Sequence, residues 1–306
     1  MNRKITKVLG YMFAVLMFLI GALIFTYPQI NSYTLQKDTE TTLDAFHYLR
    51  DKASNKNSSN STDNSNVIYD FNALYRDMQD YNDNIFKNGQ SGLKDVWSYE
   101  QSAFDLSQYG VFDSVVAEIR IPKMNVDLPV YSGADRKNMA RGAAQLGQTS
   151  MPIGGNNTNC VIAGHRGSSG GKFFLDIEKL DINDMVYIDN LWETLTYRVC
   201  KIDIISPDDI DKILIQQGRD MVTLITCHPY PYNYQRYVVY CERVQQKDDD
   251  DGDNGDISDA SVSSDTVKIE GNSQIYIVIE NILYYAVPVL LVILAFFLLK
   301  KRKIHK

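Results

Sequence analysis

Three chemistry-bearing residue types are scarce in this chain of 306 residues, which holds four histidines, four cysteines and two tryptophans. A zinc centre needs at least three converging ligands. His47 lies in a polar stretch near the N-terminus and His305 in a basic tail, and of the rest only one histidine and one cysteine are placed to converge, which disfavours a zinc site. Four cysteines do not make a dense disulfide framework either. Cys160, Cys200 and Cys241 each fall in an apolar strand pattern, where a cysteine behaves as a small buried hydrophobe, and a Cys200–Cys241 bridge stays open as an alternative. Positive charge is in deficit as well. Without the eight basic residues of the two tails, the formal net charge of −7 becomes −15. A surface that acidic speaks against nucleic acid as a partner. No cofactor motif is evident, and the acidic run Asp248–Asp256 fails as a calcium loop. With Gly255 at the loop glycine, Gly252 and Ser261 occupy positions that need oxygen-rich ligands.

Long apolar runs are confined to the two ends. Residues 8–27 are nearly all apolar and follow Arg3, Lys4 and Lys7, and a second run within 275–299 precedes Lys300, Lys301, Arg302 and Lys303. Each is long enough to cross a bilayer as a helix. Basic residues beside both spans predict two cytoplasmic tails, 1–7 and 300–306, with everything between them outside the cell membrane. Residues 53–66 carry no large apolar side chain, so 28–66 reads as a stalk and polar linker, and 247–274 as an acidic linker.

Between the linkers lie two regions. In 67–114, Phe71, Leu74, Tyr75, Met78, Tyr81 and Ile85 recur at three- and four-residue steps, the pattern of an amphipathic helix that stops before Gly89. In 115–246 the sequence turns to short β-branched runs punctuated by Gly, Pro, Asn and Asp, interrupted near 173–180 and 207–217 by short helical segments. That pattern predicts a mainly β, mostly antiparallel barrel or sandwich.

The stretch Met221–Val244 organises the rest. Val222–Ile225 and Tyr237–Val239 read as strands, separated by a loop holding Pro229 and Pro231. Cys227 then ends one strand and Arg236 begins the next, and antiparallel pairing lets them face each other. A third apolar strand runs into Gly164-His165-Arg166-Gly167. A cysteine, a histidine and an arginine at strand ends are the parts of a cysteine acyl-transferase. His228 is a competing base, but a residue adjacent to Cys227 on a strand points to the opposite face.

Thr223-Leu224-Ile225-Thr226-Cys227 resembles the TLxTC signature of sortases, and Ala163-Gly164-His165-Arg166-Gly167 resembles their histidine strand. The nine-residue step from Cys227 to Arg236, with Asn233 inside it, is similar to that of the pilin-polymerising class C members. The resemblance implies an eight-stranded sortase barrel with short helices, an N-terminal helical and lid region, and a transmembrane helix at each end. It also implies His165, Cys227 and Arg236 as catalytic residues. The implied substrate is a pilin or surface protein with an LPxTG-like sorting signal, and the acceptor a lysine amine, with a cell-wall peptide as the alternative. Class C members carry an Asp-Pro-aromatic lid over the site, which Asp95-Val96-Trp97 resembles with valine in the middle. Valine does not fix the backbone dihedral as proline does, so a looser lid is expected. A non-catalytic module that captures sorting motifs is the competing class. A papain-like protease fits poorly, because His165 precedes Cys227.

Overall fold

The computed structural model describes residues 3–54, 69–99, 104–111, 113–167, 171 and 173–244. The second apolar span at 275–299, the acidic linker at 247–274 and the basic tail at 300–306 lie outside the described residues. Two compact units divide the chain, one containing residues 1–37 and the other beginning at Asp38.

The first unit contains the N-terminal part of a helix α1 (Arg3–Ser54). Among the described residues this is the one helix long and apolar enough to cross a membrane. Its apolar side chains are exposed, Phe13, Phe18 and Leu23 among them.

In the second unit, residues 38–54 of the same helix are not a free stalk. Phe46 is 2% exposed and Thr42 is buried. His47 Nε2 lies 2.6 Å from Glu118, Arg50 donates to Asp189 at 3.1 Å, and Arg141 donates to Asp38 at 3.2 Å. Polar anchors around one buried aromatic fix this segment to the barrel, in a stretch where the spacing of apolar residues alone promised little.

Helix α2 (Phe71–Lys87) follows the predicted periodicity and buries Phe71, Leu74, Met78, Asn82 and Ile85. Asp70 caps it, accepting from the Ala73 N–H at 2.9 Å, which satisfies one of the orphan donors of the first turn. Buried Asn82 is paired in turn, accepting from the Met151 N–H at 2.7 Å.

Eight strands close into a barrel: β1 (Val115–Ile121), β2 (Val126–Ser132), β3 (Ala143–Gln145), β4 (Thr158–Ala163), β5 (Met185–Asp189), β6 (Thr194–Ile205), β7 (Asp220–His228) and β8 (Gln235–Arg243). A short helix α3 (Arg136–Arg141) connects β2 to β3. The order around the barrel is β1-β2-β3-β4-β7-β8-β6-β5, closed by β5 on β1. Six of the eight pairings are antiparallel; β2 with β3 and β4 with β7 run parallel. The two predicted helical interruptions are single 3-10 turns, Ile177–Lys179 and Ile210–Ile213. Each helical run is too short to offset the cost of nucleating an α-helix.

The parallel β4–β7 contact has the largest consequence. It sets two strands that are distant in sequence side by side and pointing the same way, with β8 on the far side of β7. The C-terminal ends of β4 and β7 and the start of β8 therefore share one rim of the barrel.

Candidate active site

At that rim, Cys227 and Arg236 are register partners across β7 and β8. β4 stays in register with β7 as far as Ala163 opposite Ile225, and its exit is pinned to β7 by two further bonds. The Gly164 N–H donates to the Ile225 carbonyl at 3.2 Å, and Thr226 Oγ1 donates to the Gly164 carbonyl at 2.7 Å. His165, the next residue, emerges beside the end of β7. Its carbonyl accepts from the Phe174 N–H at 3.0 Å, which fixes the backbone on its other side.

Both flanking glycines are required. A Cβ on Gly164 would sit 2.8 Å from the Phe174 ring, and Gly167 has φ +102° with Tyr230 2.6 Å from where its Cβ would be.

Asp95 and Trp97 arrive from the segment before the barrel. Asp95 caps a 3-10 turn, Val96–Ser98, by accepting from the Trp97 N–H at 3.1 Å. It also grips Arg236 side-on, from Nε to Oδ1 at 2.8 Å and from Nη2 to Oδ2 at 2.9 Å. The remaining Nη1 donates to the carbonyls of Gln235 at 2.9 Å and Asn233 at 3.2 Å. Every nitrogen of the guanidinium is thus engaged within the protein. Trp97 stacks over it, with Cζ 4.6 Å from the ring centroid, and meets the His165 ring edge-on at 6.3 Å.

Val96, in the middle of this turn, is fully buried, in a cluster with Leu93, Met139, Ala163 and Ile225.

Electrostatics keep the site quiet in this arrangement. Cys227 is 8% exposed. Burial pushes its thiol up to about 11, Arg236 and Arg166 pull it down, and the Asp95 carboxylate pushes it up again. Burial alone lowers His165 from its ordinary value. Near neutral pH both groups are therefore held mostly uncharged, and the thiolate–imidazolium form that reacts is a minor one.

Several neighbours were not legible in advance. Arg166 and His228 are buried and joined, with Arg166 Nη1 2.9 Å from His228 Nδ1. His228 is the last residue of β7. Glu178, which no spacing argument marks, pairs with Arg166 at 2.6 Å. The other three cysteines are free thiols, with no Cys200–Cys241 bridge. Among the described residues no group of His, Cys, Asp and Glu could hold a metal ion.

A closed eight-stranded barrel with a buried thiol, an imidazole-bearing strand exit and a guanidinium on one rim defines a cysteine-centred site on a β scaffold. Residues 119–244 match the sortase domain model. Over 133 residues the chain is 32% identical to sortase A of Bacillus anthracis, covering 44% of this chain and 61% of that protein, less than two thirds of its length. The pilus-related sortase C of Group B Streptococcus superposes with a TM-score of 0.53 at 31% identity, covering 57% of this chain and 89% of that one. A lid mutant of Streptococcus agalactiae sortase C1 gives a TM-score of 0.51 at 29% identity, covering 57% of this chain and 88% of that one. The chain belongs to the sortase family of cysteine transpeptidases.

Proposed function

We propose that this protein is a class C sortase: it cleaves an LPxTG-like sorting signal, holds the acyl fragment on Cys227 and passes it to a lysine amine of a pilin. The observation that carries the reading is the meeting of Cys227 with Arg236 in register and of both with the His165 strand exit. The likeness to a pilus-related sortase C, and to a sortase C1 studied as a lid mutant, supports the class.

In the reaction, the Cys227 thiolate attacks the threonine carbonyl of the signal, the carbon–nitrogen bond to glycine breaks, and His165 as imidazolium protonates the leaving amine. The thioester is resolved when a lysine amine attacks it. Neutral His165 takes the amine proton, and the thiolate leaves as an isopeptide bond forms. Arg236 donates to the oxygen that becomes negative, a contribution of roughly 3 kcal/mol or more per donor. Its Nε and Nη2 are engaged by Asp95. Asp95 and Trp97 therefore act as a lid that has to leave before the oxyanion can be bound.

The apolar part of α1 anchors the protein in the cell membrane, with residues 1–7 inside and the barrel outside, and the 275–299 span returns the chain to the cytoplasm. Anchoring near the membrane raises the effective concentration of tethered substrates without added contacts.

The test incubates the full chain with a pilin-type substrate bearing an LPxTG tail. An SDS-resistant ladder of multimers is expected with wild type and none with Cys227→Ala or His165→Ala. A single adduct on a wall peptide, with no ladder, would move the acceptor to peptidoglycan. Binding with neither cleavage nor a thioester mass would overturn the enzymatic reading.

A further inference from the structure

Behind the reactive rim lies a buried ion network that the reaction above does not use. The Arg166 side chain is wholly buried, and its Nη2 pairs with Glu178 Oε1 at 2.6 Å. Nη1 lies 2.9 Å from His228 Nδ1 and 3.5 Å from the Cys227 carbonyl oxygen. Glu178 also reaches His228 Nδ1 at 3.3 Å. The guanidinium face lies 5.9 Å from the Tyr237 ring, and His228 packs against that same ring at 5.6 Å.

Burying a guanidinium and a carboxylate together is costly unless both find further partners, and such pairs are weak evidence for stability alone. The position of this one suggests what it does. Arg166 immediately follows His165, and its two contacts on β7 are with the nucleophile's own carbonyl and the residue after it. A single side chain thus ties the strand exit that carries the imidazole to the strand end that carries the thiol. Bonds at Ile225, Thr226 and Phe174 fix the backbone there as well. Lysine is a poor substitute, because one ammonium on a flexible stem does not present the guanidinium's two fixed donors to Glu178 and His228 at once.

We infer that Arg166, held in place by Glu178, is a positioning residue that sets the separation of His165 and Cys227. The inference rests on the transpeptidase reading for its kinetic consequence. The two arginines of the site then have different tasks. Arg236 pairs with Asp95 on the rim, whose side chain is 23% exposed, whereas Arg166 pairs with Glu178, whose side chain is 10% exposed.

The Arg166 charge also lies near enough to favour the Cys227 thiolate. Its loss therefore has an electrostatic signature that a purely structural role lacks.

The experiment uses the full chain in detergent. Arg166→Met alone would strand a buried carboxylate, so the double variant Arg166→Met/Glu178→Leu removes the pair together, a change that commonly preserves stability. Three quantities are read: the thermal midpoint, kcat and KM on an LPxTG-type peptide, and the pH midpoint of iodoacetamide alkylation at the Cys227 peptide by mass spectrometry. The expected result is a kcat at least tenfold lower with KM within twofold, and an alkylation midpoint moved to higher pH. Arg166→Lys, which folds with its charge paired, is expected to restore the alkylation midpoint and only part of kcat. A folded double variant, or an Arg166→Lys variant if the double does not fold, with kcat within twofold of wild type would overturn the inference. If wild type turns over no peptide, the transpeptidase reading fails. An unmoved alkylation midpoint in the double variant would then refute the electrostatic part independently.

Discussion

Asp95 and Arg236, 141 positions apart in sequence, form a side-on pair whose two nitrogen–oxygen distances are 2.8 and 2.9 Å. The pair joins the segment before the barrel to the strand that follows the nucleophile. It occupies two of the guanidinium's donors, Nε and Nη2, and it sets a carboxylate near a thiol.

Breaking that pair from the Asp95 side has a defined sign. Burial, with the Asp95 carboxylate adding to it, pushes the Cys227 thiol up to about 11. Asp95→Asn removes the negative charge and weakens the latch, so Cys227 ionises at lower pH. Alkylation of Cys227 followed from pH 6 to 11 is expected to shift to lower pH and to be faster at pH 8. A profile identical to wild type would exclude the lid. For peptide turnover, the alkaline limb of kcat/KM moves in the same direction, because it reports deprotonation of the free enzyme's thiol.

Trp97 stacks over the same guanidinium. A guanidinium over an indole is worth on the order of 1 kcal/mol. Trp97→Ala is therefore expected to raise the opening equilibrium, and with it the alkylation rate, roughly fivefold. Stopped-flow or quenched labelling of Cys227 measures this directly.

Val96 lies between Asp95 and Trp97 in the same turn. It is fully buried. Val96→Ala deletes two buried carbons and is expected to weaken the local packing by roughly 2 kcal/mol. If that packing seats the turn, labelling accelerates more than the thermal midpoint falls. Loss of stability with unchanged labelling would assign Val96 to the core alone.

Arg236→Lys separates the latch from the chemistry. Lysine keeps the charge but not the fork that engages both Asp95 oxygens. Labelling of Cys227 is expected to rise, as in the Asp95 variant, while kcat/KM for an LPxTG-type peptide falls about 100-fold or more from loss of the oriented donor. Equal turnover by the lysine variant would remove Arg236 from the oxyanion role.

Far from the rim, Phe46 tests the docking of the α1 segment on the barrel. It is 2% exposed amid the ion pairs of His47, Arg50 and Asp38. Phe46→Ala is expected to cost about 3–5 kcal/mol, read as a lower midpoint in denaturant. A loss under 1 kcal/mol would show that the surrounding ion pairs hold the segment without it.

The sequence by itself determined the strand pair that carries Cys227 and Arg236, because β-branched alternation on either side of a proline-broken loop admits one local pairing, and residues nine apart meet within it. It determined α2 too, whose apolar residues keep a 3.6-residue period, and the apolar character of the N-terminal helix. Tertiary structure alone decided the rest. Which strand lies parallel to β7 depends on closure of the barrel, a long-range choice that no local pattern encodes, and it is that choice which brings the His165 strand exit to the end of β7. The same holds for Asp95 on Arg236, for Val96 as a buried anchor, and for the Arg166–Glu178–His228 network. Charged side chains at these positions look alike on paper whether they face water or each other, and only the packing that excludes water gives them partners.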